Sequence, residues 1–170
     1  MKALVLAAGR GTRLGTAARG VPKPLVDVHG VTPLTHALGW VAALRPERIW
    51  VNVHEKAGLV CERIGASVAG VPIVYSFEPE LLGTAGAWKL LEAEWVETSL
   101  IVYGDNLMRF DLSAQLRTHR ASGALATIAV FDPKRHTNTG TGGGRVMLHG
   151  ERVTRFQENG GTGLINAGAY

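Results

Sequence analysis

Short apolar runs alternate with segments whose apolar residues recur at helical spacing. Lys2–Ala7 is continuously apolar, as expected of a strand buried on both faces. Thr32-Pro33 reads as an N-cap followed by a first-turn proline. Leu34, Ala37, Leu38, Val41 and Leu44 then mark one face of a helix. Arg48–His54 is the next predicted strand, and Lys56–Ile64 a helix. Pro72–Phe77 is a strand. Ala85–Trp95 is a helix with Ala87, Leu90, Leu91 and Trp95 on one side. Ser99–Gly104 is a strand, Asp111 caps a helix with Leu112 and Leu116 inward, and Ala124–Phe131 is a strand. The order β-α-β-α-β-α-β-α-β predicts an α/β fold, with a mostly parallel sheet covered by helices on both faces.

The pattern changes after Pro133. Thr137–Gly144 is a loop of small residues. Arg145–Leu148 and Arg152–Gln157 flank His149-Gly150-Glu151, which predicts a small antiparallel hairpin near the C-terminus. Gly163–Tyr170 is a last apolar run with no covering helix after it. The expectation is therefore one domain over residues 1–170, truncated at its C-terminal side. Apolar surface near Leu164–Tyr170 is then expected to be exposed and to favour a homo-oligomer.

Composition narrows the classes. With 46% hydrophobic and 19% charged residues, the chain is globular rather than disordered. Its formal charge of +4 suits an anionic ligand without requiring nucleic acid. Cys61 stands alone, so an intrachain disulfide and a cysteine-cluster zinc site are excluded, and a reducing cytoplasm fits best. No apolar run reaches the ~18–20 residues that span a bilayer, so no membrane partner is expected. The histidines lack H-x-H or H-E-x-x-H spacing, which argues against a zinc enzyme.

The strongest chemical signal follows the first strand: Leu6-Ala7-Ala8-Gly9-Arg10-Gly11-Thr12-Arg13-Leu14-Gly15. Glycines let backbone N–H groups approach phosphate oxygens, and arginine adds planar charged donors. The loop should lie at the carboxyl ends of the strands, where α/β sheets bind ligands. It is not a dinucleotide fingerprint, because Leu14 stands where the third glycine must be. It is not a P-loop either, because Val21 follows Gly20 where lysine is required.

Gly9-x-Gly11-Thr12-Arg13-Leu14 followed by Pro22-Lys23-Pro24-Leu25 resembles the signature of sugar-nucleotide pyrophosphorylases, the sugar-1-phosphate nucleotidyltransferases. Leu82-Gly83-Thr84-Ala85-Gly86-Ala87, Gly104-Asp105, Phe156-Gln157-Glu158 and Ile165–Tyr170 follow in the family's order and cover essentially the whole chain. The resemblance is nearest to mannose- or heptose-1-phosphate guanylyltransferases. It implies the Rossmann-like nucleotide-diphospho-sugar transferase fold. It also implies transfer of a nucleoside monophosphate from an NTP, with GTP favoured, to a sugar 1-phosphate. Mg²⁺ is the implied cofactor.

On this resemblance, Leu6, Ala7, Ala8, Gly9, Gly11, Thr12 and Arg13 would hold the triphosphate. Arg13 would neutralise departing pyrophosphate. Lys23, pinned between two prolines, would contact the reacting phosphates from a stiff segment. Asp105, after an apolar strand and Gly104, would hold the Mg²⁺. Gly83, Thr84 and Gly86 would approach base and ribose. The Glu78 carboxylate would accept from the two donors on the guanine edge, although Glu80 offers the same group nearby. Glu158, Asn166 and Gly143 would contact the sugar. Asn159 stands where many relatives carry a lysine, and no second metal-binding aspartate is found before Tyr170. Two alternatives stay open. One is a catalytically weak nucleotide-sugar-binding regulatory homologue. The other is a uridylyl-, thymidylyl- or cytidylyltransferase of the same fold.

Overall fold

The computed structural model describes residues 1–9, 20–95, 97–135, 143–158 and 160–170. It divides into two compact units, Met1–Leu112 and Ser113–Tyr170. Among the described residues no helix is long and apolar enough to cross a membrane.

The first unit is built on a five-stranded sheet. In chain order its strands are β1 (Lys2–Leu6), β2 (Ile49–Val53), β3 (Ser67–Val68), β4 (Val71–Phe77) and β5 (Ser99–Tyr103). Their spatial order is β3-β4-β2-β1-β5, and β4, β2, β1 and β5 are mutually parallel. Parallel pairing in register puts Ala3, Ile49 and Leu100 on one face and Leu4, Trp50 and Ile101 on the other. Both faces are therefore apolar, as the uninterrupted runs predict.

Helix α1 (Pro33–Ala42) starts where expected, with a reciprocal capping box. The Thr32 side chain accepts from the Thr35 N–H at 3.1 Å, and the Thr35 hydroxyl accepts from the Thr32 N–H. It buries Leu34, Leu38 and Val41 on the Val5 side of the sheet. Each side chain of that size contributes about 1.5–3 kcal/mol when fully buried. Helix α2 (Ala57–Ile64) follows β2. Helix α3 (Gly83–Leu90) covers the opposite face, where Ala87 and Leu91 pack on Leu4 with Trp50, Trp88 and Trp95 around them.

Three expectations are corrected. The predicted helix Ala85–Trp95 begins two residues earlier, ends at Leu90 and continues as a short 3₁₀ turn, Glu92–Glu94. Trp95 folds back, stacking on Trp88 and donating its indole N–H to the Trp88 carbonyl at 2.8 Å, and Leu90 is exposed. The edge strand β3 has no counterpart among the predicted elements. It is made by the two-residue loop Ala69-Gly70, both at positive φ, which is the turn geometry that closes a tight antiparallel hairpin. The predicted strand Ala124–Phe131 is paired only as β6 (Val130–Phe131), and it belongs to the second unit rather than to the parallel sheet.

The second unit holds helix α4 (Leu112–Ser122), whose first residue closes the first unit, and a four-stranded antiparallel sheet. Its strands are β6, β7 (Arg145–His149), β8 (Arg152–Gln157) and β9 (Leu164–Asn166), in the order β6-β9-β7-β8. The predicted hairpin is β7–β8. The expected exposure near Leu164–Tyr170 is not found, since Ile165 and Ala169 are buried by pairing with β6, β7 and Ala129. The unit's exposed apolar residues include Met147, Leu148, Val153 and Phe156 on the hairpin instead.

One position fixes how closely β1 and β5 end together. A Cβ at Gly104 would lie 2.9 Å from the Leu6 carbonyl oxygen and 3.0 Å from both Leu34 Cδ1 and Val5 Cγ1. Backbone cannot yield as a flexible side chain does, so Gly104→Ala is expected to destabilise by about 1–3 kcal/mol. Chemical denaturation should show a lowered midpoint with an unchanged slope.

Candidate active site

Because β1, β2, β4 and β5 run in parallel and in register, their carboxyl ends share one edge of the first unit's sheet. Ala7–Gly9, His54, Glu78 and Gly104-Asp105 all leave the sheet there. Ala7 and Ala8 are buried, and Gly9 is exposed with open space where a side chain would stand. Gly11, Thr12 and Arg13 lie outside the described residues, as do Arg10, Leu14, Gly15 and Asn159.

Lys23 opens a 3₁₀ turn, Lys23–Leu25, between Pro22 and Pro24. The turn is closed by the Leu25 N–H donating to the Pro22 carbonyl at 2.8 Å, and Pro24 and Leu25 are buried. The lysine is thus anchored from behind. Its Nζ donates to Asp105 Oδ2 at 2.6 Å, so two residues separated by most of the unit's length meet at the sheet edge. Both side chains keep about a third of their surface exposed, 35% and 29%. The pair can therefore exchange its mutual contact for other charged groups without crossing a buried environment.

Asp105 supplies hard oxygen donors. Among the described residues no group of three His, Cys, Asp or Glu side chains forms. One carboxylate fits Mg²⁺, which is commonly held by one or two carboxylates with water and substrate phosphates. It does not fit a cation caged by protein alone.

The segment before α3 carries the other nucleotide candidates. Gly83 has φ of +70°, a backbone conformation that side-chain-bearing residues adopt only with strain. A Cβ at Gly86 would meet the Leu82 Cβ at 2.7 Å. Thr84 Oγ1 lies 3.3 Å from the Tyr103 hydroxyl, tying the start of α3 to the end of β5.

Glu78 is placed differently from the expectation. It is 1% exposed. Its Oε1 accepts from the Asn52 amide at 2.8 Å and its Oε2 from the Leu82 N–H at 3.1 Å. Both oxygens are turned into the protein, so the geometry does not offer this carboxylate to a guanine edge. Sequence reasoning missed Asn52, which is also buried. Its signal is that it is the one polar residue within the otherwise apolar β2 run Ile-Trp-Val-Asn-Val.

The sugar candidates lie on the second unit. Gln157 and Ile165 both pair with Arg145, so Glu158 and Asn166, one residue further on, sit at the same end of that sheet. Gly143 packs against Ile165 and Asn166 so closely that a Cβ would lie 2.7 Å from Ile165 Cγ2. Glu158 is exposed and available to a ligand. Asn166 is occupied: its Oδ1 accepts from the Gly168 N–H at 2.8 Å, and its Nδ2 donates to the Tyr170 hydroxyl at 2.5 Å. That is a turn-forming arrangement.

Comparison with known proteins agrees with the architecture. Residues 2–168 match the family model described as nucleotidyl transferase. The chain is 33% identical over 130 residues to the UTP–glucose-1-phosphate uridylyltransferase AglF of Haloferax volcanii, covering 76% of this chain and 54% of that protein. It is 29% identical over 174 residues to the D-glycero-α-D-manno-heptose 1-phosphate guanylyltransferase of Aneurinibacillus thermoaerophilus, covering all of this chain and 74% of that protein. The chain thus spans about half of the first relative's length. Among solved structures, that of HddC from Yersinia pseudotuberculosis superposes with a TM-score of 0.76 at 26% identity. The match covers 99% of this chain and 74% of that one.

The two roles open to Asn166 separate experimentally. As a turn former, Asn166→Ala orphans the buried Gly168 N–H, at about 1–3 kcal/mol. The melting temperature is expected to fall by roughly 2–4 °C per kcal/mol for a chain of this size. An unchanged melting temperature with an altered sugar-phosphate KM would mark it as a sugar ligand.

Proposed function

This chain belongs to the nucleotidyl transferase family, and on that footing we propose that it joins a nucleoside monophosphate to a sugar 1-phosphate. The observation that carries this reading is the Lys23–Asp105 pair, which puts a cation and a hard oxygen donor together at the carboxyl edge of the parallel sheet. That is the chemistry a triphosphate requires.

The proposed reaction is a displacement at the α-phosphorus of an NTP. A phosphate oxygen of the sugar 1-phosphate forms the new P–O bond, and the bond to the β-phosphate breaks as pyrophosphate leaves. The nucleophile is already an anion, so no residue need remove a proton. Catalysis then consists of aligning two polyanions and offsetting their repulsion. Backbone N–H groups of the loop after β1 approach the phosphates, and Arg13 answers the charge on the leaving pyrophosphate. Lys23 neutralises the reacting phosphates from its braced turn. Asp105 would hold Mg²⁺, whose charge would offset that of the phosphates. Gly83, Thr84 and Gly86 are the residues we assign to base and ribose, and Glu158 is the one we assign to sugar hydroxyls.

For the base, we favour guanine. The guanylyltransferase relative aligns along the whole chain, whereas the uridylyltransferase aligns along 76% of it. Glu78 gives this preference no support, since its carboxylate is engaged internally. That relative, and a mannose-1-phosphate guanylyltransferase that aligns along 99% of this chain, favour a heptose or mannose 1-phosphate as acceptor.

Pyrophosphate release measured with ATP, CTP, GTP and UTP against a panel of sugar 1-phosphates tests the reading. GTP with a heptose or mannose 1-phosphate is expected to give the highest rate. A preference for UTP would reject the guanylyl assignment, and no release from any pair would reject nucleotidyl transfer. In whichever combination turns over, Lys23→Ala should lower kcat by about 10²–10³, the usual cost of one preorganised transition-state donor. Near wild-type turnover would remove Lys23 from the mechanism.

A further inference from the structure

Two buried polar residues of the first unit, Asn52 and Glu78, join one continuous chain of hydrogen bonds. The Ala7 N–H, first beyond the end of β1, donates to Asn52 Oδ1 at 2.7 Å. Asn52 Nδ2 donates to Glu78 Oε1 at 2.8 Å, and Glu78 Oε2 accepts from the Leu82 N–H at 3.1 Å. Asn52 is 4% exposed and Glu78 1%. Glu78 is fixed further by its own backbone, with its N–H donating to the Val53 carbonyl at 2.8 Å and its carbonyl facing His54 Nδ1 at 2.7 Å.

Two features set this apart from ordinary core packing. The amide of Asn52 can be oriented only one way, because a backbone N–H demands its oxygen on one side and a carboxylate demands its nitrogen on the other. The ends of the chain of bonds are also the first residue of the glycine loop and the residue that precedes Gly83. Those are the two segments read above as holding the triphosphate and the base with its ribose.

We propose that Asn52 and Glu78 are positioning residues that couple these two loops, so that the phosphate-holding and base-holding backbones are set by one shared latch rather than independently. The proposal rests on the nucleotide reading of the two loops. Neither residue touches the reacting atoms. Low dielectric strengthens a fully satisfied buried network, and the same burial makes a broken one costly.

The latch allows a reciprocal test. Asn52→Asp sets two buried carboxylates against each other. Glu78→Gln leaves a chain of three hydrogen bonds whose donors and acceptors can no longer all match. Combining Asn52→Asp with Glu78→Gln restores the pattern with donor and charge exchanged. The introduced carboxylate would accept from the Ala7 N–H and from the introduced amide, whose oxygen would accept from the Leu82 N–H. Nucleotide affinity is measured by titration of the full chain with GTP and UTP, well below the melting temperature. Amide exchange is followed at Ala7 and Leu82 without nucleotide.

Each single variant is expected to weaken nucleotide binding by about tenfold or more, the scale of one lost charge-assisted hydrogen bond. Each should also speed exchange at both amides, including the one it does not contact, and the double variant should recover both. Exchange that changes only at the nearer amide, or a double variant no better than the singles, would overturn the coupling. Wild-type affinity in folded single variants would show a merely structural role and overturn the positioning claim. If the wild-type protein binds no nucleotide, the nucleotide reading fails, and the exchange experiment still decides whether the two loops are coupled.

Discussion

The carboxyl edge of a parallel sheet poses one constraint on which the rest of this structure depends. The ladder stops there, yet the backbone groups at its end must still find partners. They must do so without covering the edge, because the edge is where a ligand enters. This chain answers from inside the sheet. Asn52 on β2 takes the N–H that β1 leaves behind, and Gly104 beyond β5 donates to the Leu6 carbonyl at 2.8 Å. Glu78 takes up the N–H at the start of the next helix. The exits of the parallel strands are thereby fixed by groups of the sheet itself.

That arrangement explains why the residues offered to a ligand are few. Lys23 arrives from a turn stiffened by two prolines, and Asp105 from a strand end held close to β1 by a glycine. Neither needs support from the other to be in place. Lys23 and Asp105 present charge of both signs at about one-third exposure, while Asn52 and Glu78 are buried. Asn52 and Glu78 have both ends of their side chains hydrogen-bonded, and the exposed pair keeps its freedom to change partners.

Much of this is legible in the chain. Apolar runs announce β1, β2, β4 and β5, and Thr32-Pro33 announces α1 through capping chemistry alone. What escapes has a common cause: it is decided by tertiary contact. The two-residue strand β3 is too short to carry a period. The segment before Phe131 is apolar enough for the parallel sheet, yet Val130–Phe131 pairs with β9, a choice no local pattern encodes. Trp95 reads as helical because its spacing from Leu91 suits a helix, but its indole is satisfied by doubling back onto Trp88. At the site, Lys23 and Asp105 can be named from the sequence but their contact cannot. Glu78 reads as a ligand contact because a carboxylate suits the two donors of the guanine edge and Glu78 lies just before Leu82–Ala87. Its partner Asn52, the one that explains the burial, stands out in the sequence only as the polar residue of an apolar strand, which does not say what it binds.

The contact between Lys23 and Asp105 has a thermodynamic consequence. On the proposed roles, an anion that takes the lysine from the aspartate, or a cation that takes the aspartate from the lysine, parts the same 2.6 Å bond. The work of parting falls on whichever arrives first, and the second arrives without it. Two ligands of opposite sign are thus linked through a single ion pair, each raising the other's affinity by the same factor in either order. A protein with one such pair needs no moving domain to favour having both ligands or neither.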